Sequence, residues 1–348
     1  MDQPSLTSIS ELGEFGLIER LTKDIKSTQH STIMGVGDDA AVIKTGDKKY
    51  MLVSNDLLIE GVHFDMTYTP LRHLGYKAAV VNFSDIAAMN GTPRQIVVGL
   101  GISSKYTLEA LEELYWGLKK ACEVYHVDFV GGDTTSSLHG LFISVTVIGD
   151  VDKEQITYRK GAKQGDLLCV SGDLGAAYMG LLTLEREKQV FKANPSAQPE
   201  LEGKDYILQR QLKPEARVDI VEALKKEKIL PSAMIDISDG LASEALHISK
   251  ASGVGVAIYE NKLPIDQTTF STAEEFKIIP SVAALNGGED YELLFTLPQS
   301  DYEKIQKIHQ VNIIGYMTDI SEGNRLISND NSVIELTAQG WDALKNRV

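Results

Sequence analysis

Two cysteines, Cys122 and Cys169, are all that 348 residues contain. They stand far apart, with neither paired spacing nor a histidine cluster, which excludes a zinc knuckle and a disulfide framework and leaves them as small core residues. Long apolar runs are missing as well. No stretch of about 18 apolar residues occurs, and the opening MDQPSLTSISELGEFG has neither a basic n-region nor an apolar h-region, so a cytoplasmic protein that does not cross a membrane is expected. Positive charge is in short supply: 34 Lys and Arg face 49 Asp and Glu, a formal charge of -15. That balance argues against nucleic acid or an anionic membrane as a partner. Three common routes to nucleotide or acyl chemistry are absent too, since there is no GxxxxGK[ST] loop, no protein-kinase catalytic-loop set and no GxSxG elbow.

What is present reads as a globular α/β chain, 43% hydrophobic and long enough for two packed domains. Residues 50–54 read as a strand leading into the SND turn. Residues 73–90 read as a mostly buried helix with Asn82 and Asp85 three apart on one face. IVVGLGI at 96–102 is a strand, and 107–125 forms an amphipathic helix with Leu108, Leu111, Leu114, Leu118, Ala121, Cys122 and Tyr125 along one stripe. VDFVGG and the alternating LFISVTVIG at 141–149 are further strands, closing a first unit over 1–150. A second unit, 151–348, opens on the glycine-punctuated YRKGAKQGD and continues as strand, glycine turn and helix through LLCVSGDLGAAYMGLLTL. Pro214 is placed at a helix start, and 187–204 reads as a surface excursion. AMIDISDG feeds a helix with Ser238 or Asp239 as N-cap and Gly253 past its end, and VGVAIYE, YELLFTL and NIIGYM supply later strands.

Seven aspartates then call for an explanation: Asp38 and Asp39 in GVGDDAA, Asp56 in SND, Asp85 in NFSD, Asp133 in GGD, and Asp236 and Asp239 in DISDG. Each motif alone is more often a turn or a cap. Their number matters, because carboxylates inside a fold are unfavourable unless paired or bound to a hard cation. An acidic pocket also repels a polyphosphate: two like charges 4 Å apart repel by roughly 4 kcal/mol at an effective dielectric of 20, so divalent cations have to stand between them. Ser54 offers a further oxygen beside Asp56, and the helix after DISDG offers backbone donors and a positive dipole end to a phosphate.

In order along the chain, ELGEFGLIERL, GVGDDAAV, SNDLLIEGVHF, GYKAAVVNFSDIAAMNG, VGGDTT, SGDLG, MIDISDGLASE, LNGGEDYELLFT and the closing GW resemble the thiamine-monophosphate kinase family, from residue 11 to about 341. That family belongs to a superfamily with aminoimidazole ribonucleotide synthase. The resemblance implies a two-domain PurM-like α/β (α+β) architecture, with an N-terminal sheet that pairs across a homodimer. It also implies Mg2+-assisted transfer of the γ-phosphate of ATP to thiamine monophosphate. By motif, Asp39, Asp56, Asp85, Asp133, Asp236 and Asp239 would be magnesium ligands, with Ser54 and Asn55 supporting; Asn55 stands where the family often has threonine. His63, Glu289 and Trp341 resemble the thiamine-phosphate side, and Tyr115, Gly132, Asp133, Arg159 and Ser238 the nucleotide side. Arg159 and Asp239 are the expected catalytic terms, with no general base, because the attacking group is already a phosphate oxygen. Two rivals are set beside this: another ATP-dependent member of the superfamily, such as an aminoimidazole ribonucleotide or selenophosphate synthase, and a non-catalytic sensor of metal and nucleotide. The selenophosphate branch expects a reactive cysteine near its N-terminus, and residues 1–50 contain none. A sensor has no need of a second pocket carrying Glu289.

Overall fold

Two sheets of different sequence character divide the chain in the computed structural model, which describes residues 8–340. The first sheet contains β1 (Thr32–Met34), β2 (Ala41–Lys44), β3 (Lys49–Ile59), β4 (Thr92–Ile102), β5 (Asp128–Ser136) and β6 (Leu141–Asp152), in the order β1-β2-β3-β6-β4-β5. Only β4 and β5 run parallel, because α3 (Leu108–Tyr125) carries the chain back between them. In β6 Leu141, Ile143, Val145 and Val147 are buried and their neighbours half-buried, the period-2 pattern of a sheet covered on one face. The cover consists of α3 and α2 (Leu71–Ala88). The two helices cross at glycine: a Cβ on Gly75 would lie 2.0 Å from the Leu114 carbonyl oxygen, and one on Gly117 would lie 2.0 Å from that of Arg72.

The second sheet is β7 (Leu167–Ser171), β8 (Ala233–Asp236), β9 (Gly255–Tyr259), β10 (Leu293–Leu297), β11 (Val311–Thr318), β12 (Asn324–Ile327) and β13 (Val333–Glu335), ordered β13-β12-β9-β11-β7-β10-β8. Its central strands read as unbroken apolar runs because both faces are buried. Leu168, Val170, Ile235 and Leu294 pack with Leu241, Ala245 and Ile248 of α7 (Leu241–Ser252). Cys169, Met234 and Phe295 pack with Ile220, Val221 and Leu224 of α6 (Val218–Lys226). Helices α4 (Ala176–Ala193), α5 (Asp205–Leu212), α8 (Gln267–Glu275) and α9 (Pro280–Asn286) complete this half. The N-terminal α1 (Ile9–Thr22) lies against it, with the Phe15 and His247 rings 4.4 Å apart.

Between the halves runs α2, which also touches β8, α5 and α6. All but four of its 18 residues are buried. A helix enclosed on every side has no reason to be amphipathic, and this one is not. Three expectations are corrected. Pro214 follows the C-cap of α5 and does not open α6, which starts at Val218. Residues 187–193 continue α4, and Glu187 is buried. Asp56 and Asp133 lie inside strands and not in turns, while Asp85 is on α2 as the helix at 73–90 implied. No helix among the described residues is long and apolar enough to cross a membrane.

Candidate active site

Strand pairing decides which motif residues can meet. Asp56 opposes Val145, which opposes Val98, so Asp56 and likewise Ser54 point to the face covered by α2. There the Asp56 backbone N–H donates to Asn82 Oδ1 (3.1 Å), and Ser54 Oγ donates to Asp85 Oδ2 (2.6 Å). One residue before Asp85 on α2, Ser84 Oγ donates to Asp236 Oδ2 (2.6 Å) at the end of β8. From the loop before β2 comes Asp39, whose Oδ1 accepts from Arg159 Nη2 (2.6 Å) and Nε (3.2 Å), while Asp38 accepts from the Arg159 backbone N–H (3.2 Å). Carboxylate oxygens of Asp39, Asp85 and Asp236 thereby come within 4.8 Å of one another.

Like charges this close and this far from water resist ionisation. Burial, then the charges of Asp56, Asp236 and Asp39, raise Asp85 well above the ordinary carboxylate range. Burial followed by the Asp39 charge pushes Asp236 up to about 7, and burial alone pushes Asp56 up to about 6. Asp39 is also raised by burial, opposed by Arg159, and its Oδ2 is buried with no hydrogen-bond partner among the described residues.

A cavity of about 650 Å³ opens beside this cluster and is lined by Asp56, Asp85, Asp236, Ser238 and Asp239. His63, Lys77, Glu289 and Tyr291 line it too, the Glu289 backbone N–H donating to the Ser238 carbonyl oxygen (2.6 Å). His63 Nδ1 accepts from the Ile59 backbone N–H (2.9 Å), which fixes the proton on Nε2. Glu289 sits in a loop of left-handed residues, Gly288 (φ 71°), Glu289 (φ 59°) and Tyr291 (φ 52°). The conformation is held by neighbouring carboxylates. Asp290 accepts from the Gly175 backbone N–H (2.8 Å) before α4, and buried Glu292 pairs with Arg210 (2.7 Å) and Arg217. The Glu289 side chain itself accepts from Lys77 Nζ (2.9 Å) and Gln211 Nε2 (2.8 Å).

The expected N-cap of α7 is different in the structure. Gly240, at φ 124°, occupies that position without a side-chain cap. Glu244 reaches back instead, its Oε1 accepting from the backbone N–H groups of Ser238 (3.1 Å) and Asp239 (2.8 Å). Those two donors, expected to face a phosphate, are engaged inside the protein. Asn55 and Asp133 are not brought to the cluster. Asn55 lies on the opposite sheet face from Ser54 and Asp56, where its amide donates to Ser144 Oγ (3.0 Å) and Thr146 Oγ1 (3.0 Å). Asp133 opposes Gly99, which opposes Ser144, so it shares that outer face. Tyr115 is half-buried against Phe129 (ring centroids 5.9 Å), and a Cβ on Gly132 would lie 1.9 Å from the Val98 carbonyl oxygen. Trp341 lies outside the described residues. Sequence reasoning missed Lys77, Gln211, Glu244 and Asp290; the available signal was a lysine in an otherwise apolar helix.

The fold and the acidic cleft place the chain among proteins built on an AIR synthase-like scaffold, and the family model described as AIR synthase related protein, N-terminal domain, matches residues 37–151. The thiamine-monophosphate kinase of Bacillus subtilis (strain 168) is 34% identical over 340 residues, 96% of this chain and 100% of the relative. That of Aquifex aeolicus (strain VF5) is 38% identical over 291 residues, covering 84% and 88%. The chain belongs to the thiamine-monophosphate kinase family. Among solved structures, AaThiL complexed with AMPPCP and TMP superimposes with a TM-score of 0.82 at 34% identity, covering 97% of this chain and 99% of that one.

Proposed function

We propose that this protein transfers the γ-phosphoryl group of ATP directly to the phosphate of thiamine monophosphate, releasing thiamine diphosphate and ADP. The observation that carries the reading is one cavity lined both by a carboxylate cluster and, about two helical turns away along α2, by Lys77 with Glu289 paired to it. A phosphate-bearing acceptor with a cationic, amino-bearing head matches that polarity.

The residues present fit Mg2+. Burial and then the neighbouring carboxylates raise Asp85 and Asp236, and Asp39 keeps a buried oxygen without a hydrogen-bond partner among the described residues, as a hard-cation site requires. Asp39, Asp85 and Asp236 would hold the ion, with Asp56 and Asp239 beside them on the cavity wall; Ser54 supports through Asp85. Bound magnesium supplies charge neutralisation for the phosphate oxygens. The chain's own contributions are positional. Arg159 is fixed by Asp38 and Asp39 at the cluster's edge, where its remaining donors can meet a transferring phosphoryl group. Glu244 keeps the Ser238–Asp239 backbone in one conformation. No side chain has to remove a proton, since the acceptor oxygen is already ionised.

Tyr115, Gly132, Asp133, Arg159 and Ser238 are assigned to the nucleotide, and Trp341 to the acceptor. Asn55 and Asp133 belong to the sheet face on which Met51, Val53, Leu57, Phe142 and Ile148 are left at least partly exposed, and this is the surface we assign to homodimer pairing. Asp133 and Asn55 then act at that interface in the assembled enzyme. A cytoplasmic setting fits its two free, buried cysteines. Incubation with MgATP and thiamine monophosphate, followed by mass spectrometry, should give thiamine diphosphate and ADP in equal amounts, with chelation stopping both. Free phosphate without thiamine diphosphate would refute the assignment.

A further inference from the structure

One buried cation belongs to the cavity wall and has no part in the chemistry above. Lys77 is 5% exposed and sits on α2 among residues that are almost all buried. It is eight residues before Asp85, with Val81 between them at i+4, and all three line the cavity. On a helix that spacing is one face, and it sets Lys77 about 12 Å from Asp85 along the axis. An ammonium taken out of water is unfavourable unless it is paired and hydrogen-bonded. Lys77 Nζ has both kinds of partner, the Gln211 carbonyl oxygen at 3.0 Å and Glu289 Oε1 at 2.9 Å. Both partners belong to the second half of the chain, while Lys77 belongs to the first. The second Glu289 oxygen is held by the side chain of Gln211. A glutamate in a left-handed loop position thus has each oxygen fixed by a buried group, one from each half of the protein.

We infer that Lys77 is a positioning residue for the acceptor: it fixes the Glu289 carboxylate at a set distance along α2 from the Asp85 end of the cavity. The inference rests on the acceptor reading of that end. α2 acts as a ruler, with Lys77 and Glu289 marking the head of the acceptor, Val81 the apolar stretch between, and Asp85 the phosphate. Without Lys77, the Glu289 carboxylate keeps only Gln211 and can leave its set position although the loop stays held, so head recognition weakens while nucleotide binding is untouched.

The experiment compares wild type, Lys77→Met, Glu289→Gln and the double variant. Affinity for thiamine monophosphate is read by calorimetry, turnover is read separately, and affinity for a non-hydrolysable MgATP analogue serves as the control. Lys77→Met should weaken thiamine monophosphate binding and raise its KM by roughly 10- to 100-fold, the scale of a charge-assisted hydrogen bond, with nucleotide affinity within about 3-fold of wild type. Adding Lys77→Met to Glu289→Gln should change little further, because both act through one carboxylate. If Lys77→Met does not fold, Gln211→Leu, which removes the other donor to Glu289, is expected to show the same split between acceptor and nucleotide. Unchanged acceptor affinity, multiplicative effects in the double variant, or parallel loss of nucleotide affinity would overturn the inference. Wild type that binds thiamine monophosphate but makes no diphosphate refutes the proposed activity and leaves Lys77 to be judged on affinity; wild type that binds none refutes both.

Discussion

Replacing Asp85 by asparagine should make the metal-free protein more stable and nearly inactive. Carboxylate oxygens of Asp39, Asp85 and Asp236 lie within 4.8 Å of one another. At that distance and an effective dielectric of 20, each pair of unit charges repels by about 3.5 kcal/mol. The wild type meets this unfavourable term either by carrying the charge or by taking up protons that the unfolded chain would have released, and asparagine avoids both. Its Oδ1 still accepts from Ser54 Oγ, so the packing contact survives. Discounting for proton uptake and relaxation, the gain is on the order of 2–4 kcal/mol, a rise in Tm of roughly 3–6 °C for a chain of this size. The assay is thermal denaturation at pH 8 in EDTA and again with MgCl2, alongside turnover. Magnesium should stabilise wild type and leave Asp85→Asn nearly unmoved, while the variant loses about 10²- to 10³-fold in rate. A variant destabilised in EDTA would show that Asp85 is held by structure and not poised against its neighbours, and the cation-site argument would fail.

Three further outcomes are expected. In EDTA, stability should fall as pH rises from about 4 to about 7, because Asp236 and Asp56 have folded-state values pushed up from 3.8 to about 7 and about 6, so the folded chain binds more protons than the unfolded one across that window; a Tm that rises over this range without metal would contradict it. Glu292→Ala should destabilise by about 3–5 kcal/mol in urea titrations, since it leaves the buried guanidiniums of Arg210 and Arg217 without their shared anion. Gly75→Ala places a Cβ 2.0 Å from the Leu114 carbonyl oxygen and should reduce stability by roughly 1–3 kcal/mol, lowering turnover as well because α2 carries both Lys77 and Asp85; an unchanged Tm would mean that α2 and α3 separate freely.

The sequence made the acidic residues legible because carboxylates in such numbers have few structural uses. Asp39, Asp85 and Asp236 do meet, and His63 and Glu289 do line the adjoining cavity. What the motifs could not convey is side-chain direction across a strand. Asn55 and Asp56 are neighbours in SND, yet pleating sends them to opposite faces, and the register of β5 sends Asp133 with Asn55. Distant partners were equally hidden. Nothing near Lys77 announces Glu289, and nothing near Ser238 marks Glu244 as the acceptor that uses up the donors expected at the head of α7. The second unit's local errors have one origin. Composition marks Pro214 and residues 187–204 as breaks, whereas the helical backbone of α4 runs on to Ala193 and that of α5 closes at Leu212, just before the proline.

Dividing the cluster among elements has a consequence for assembly. Asp39 comes from the loop before β2, Asp85 from the helix between the halves, and Asp236 from the second sheet. Asp39 and Asp85 meet within the first half, and Asp236 adds its charge to theirs only when the second half packs against it. Serine hydroxyls on both sides, Ser54 to Asp85 and Ser84 to Asp236, orient the carboxylates but add no positive charge, and Arg159 pairs directly with Asp39 only, its charge reaching Asp236 from a distance. Packing of the two halves therefore demands protons or a cation at the cluster. At the other end of α2 the same contact is favourable, because Lys77 of the first half meets Glu289 of the second. One helix thus carries an attractive and a repulsive contact about two turns apart, and the function proposed above would satisfy both by placing a cation and the acceptor phosphate at the Asp85 end.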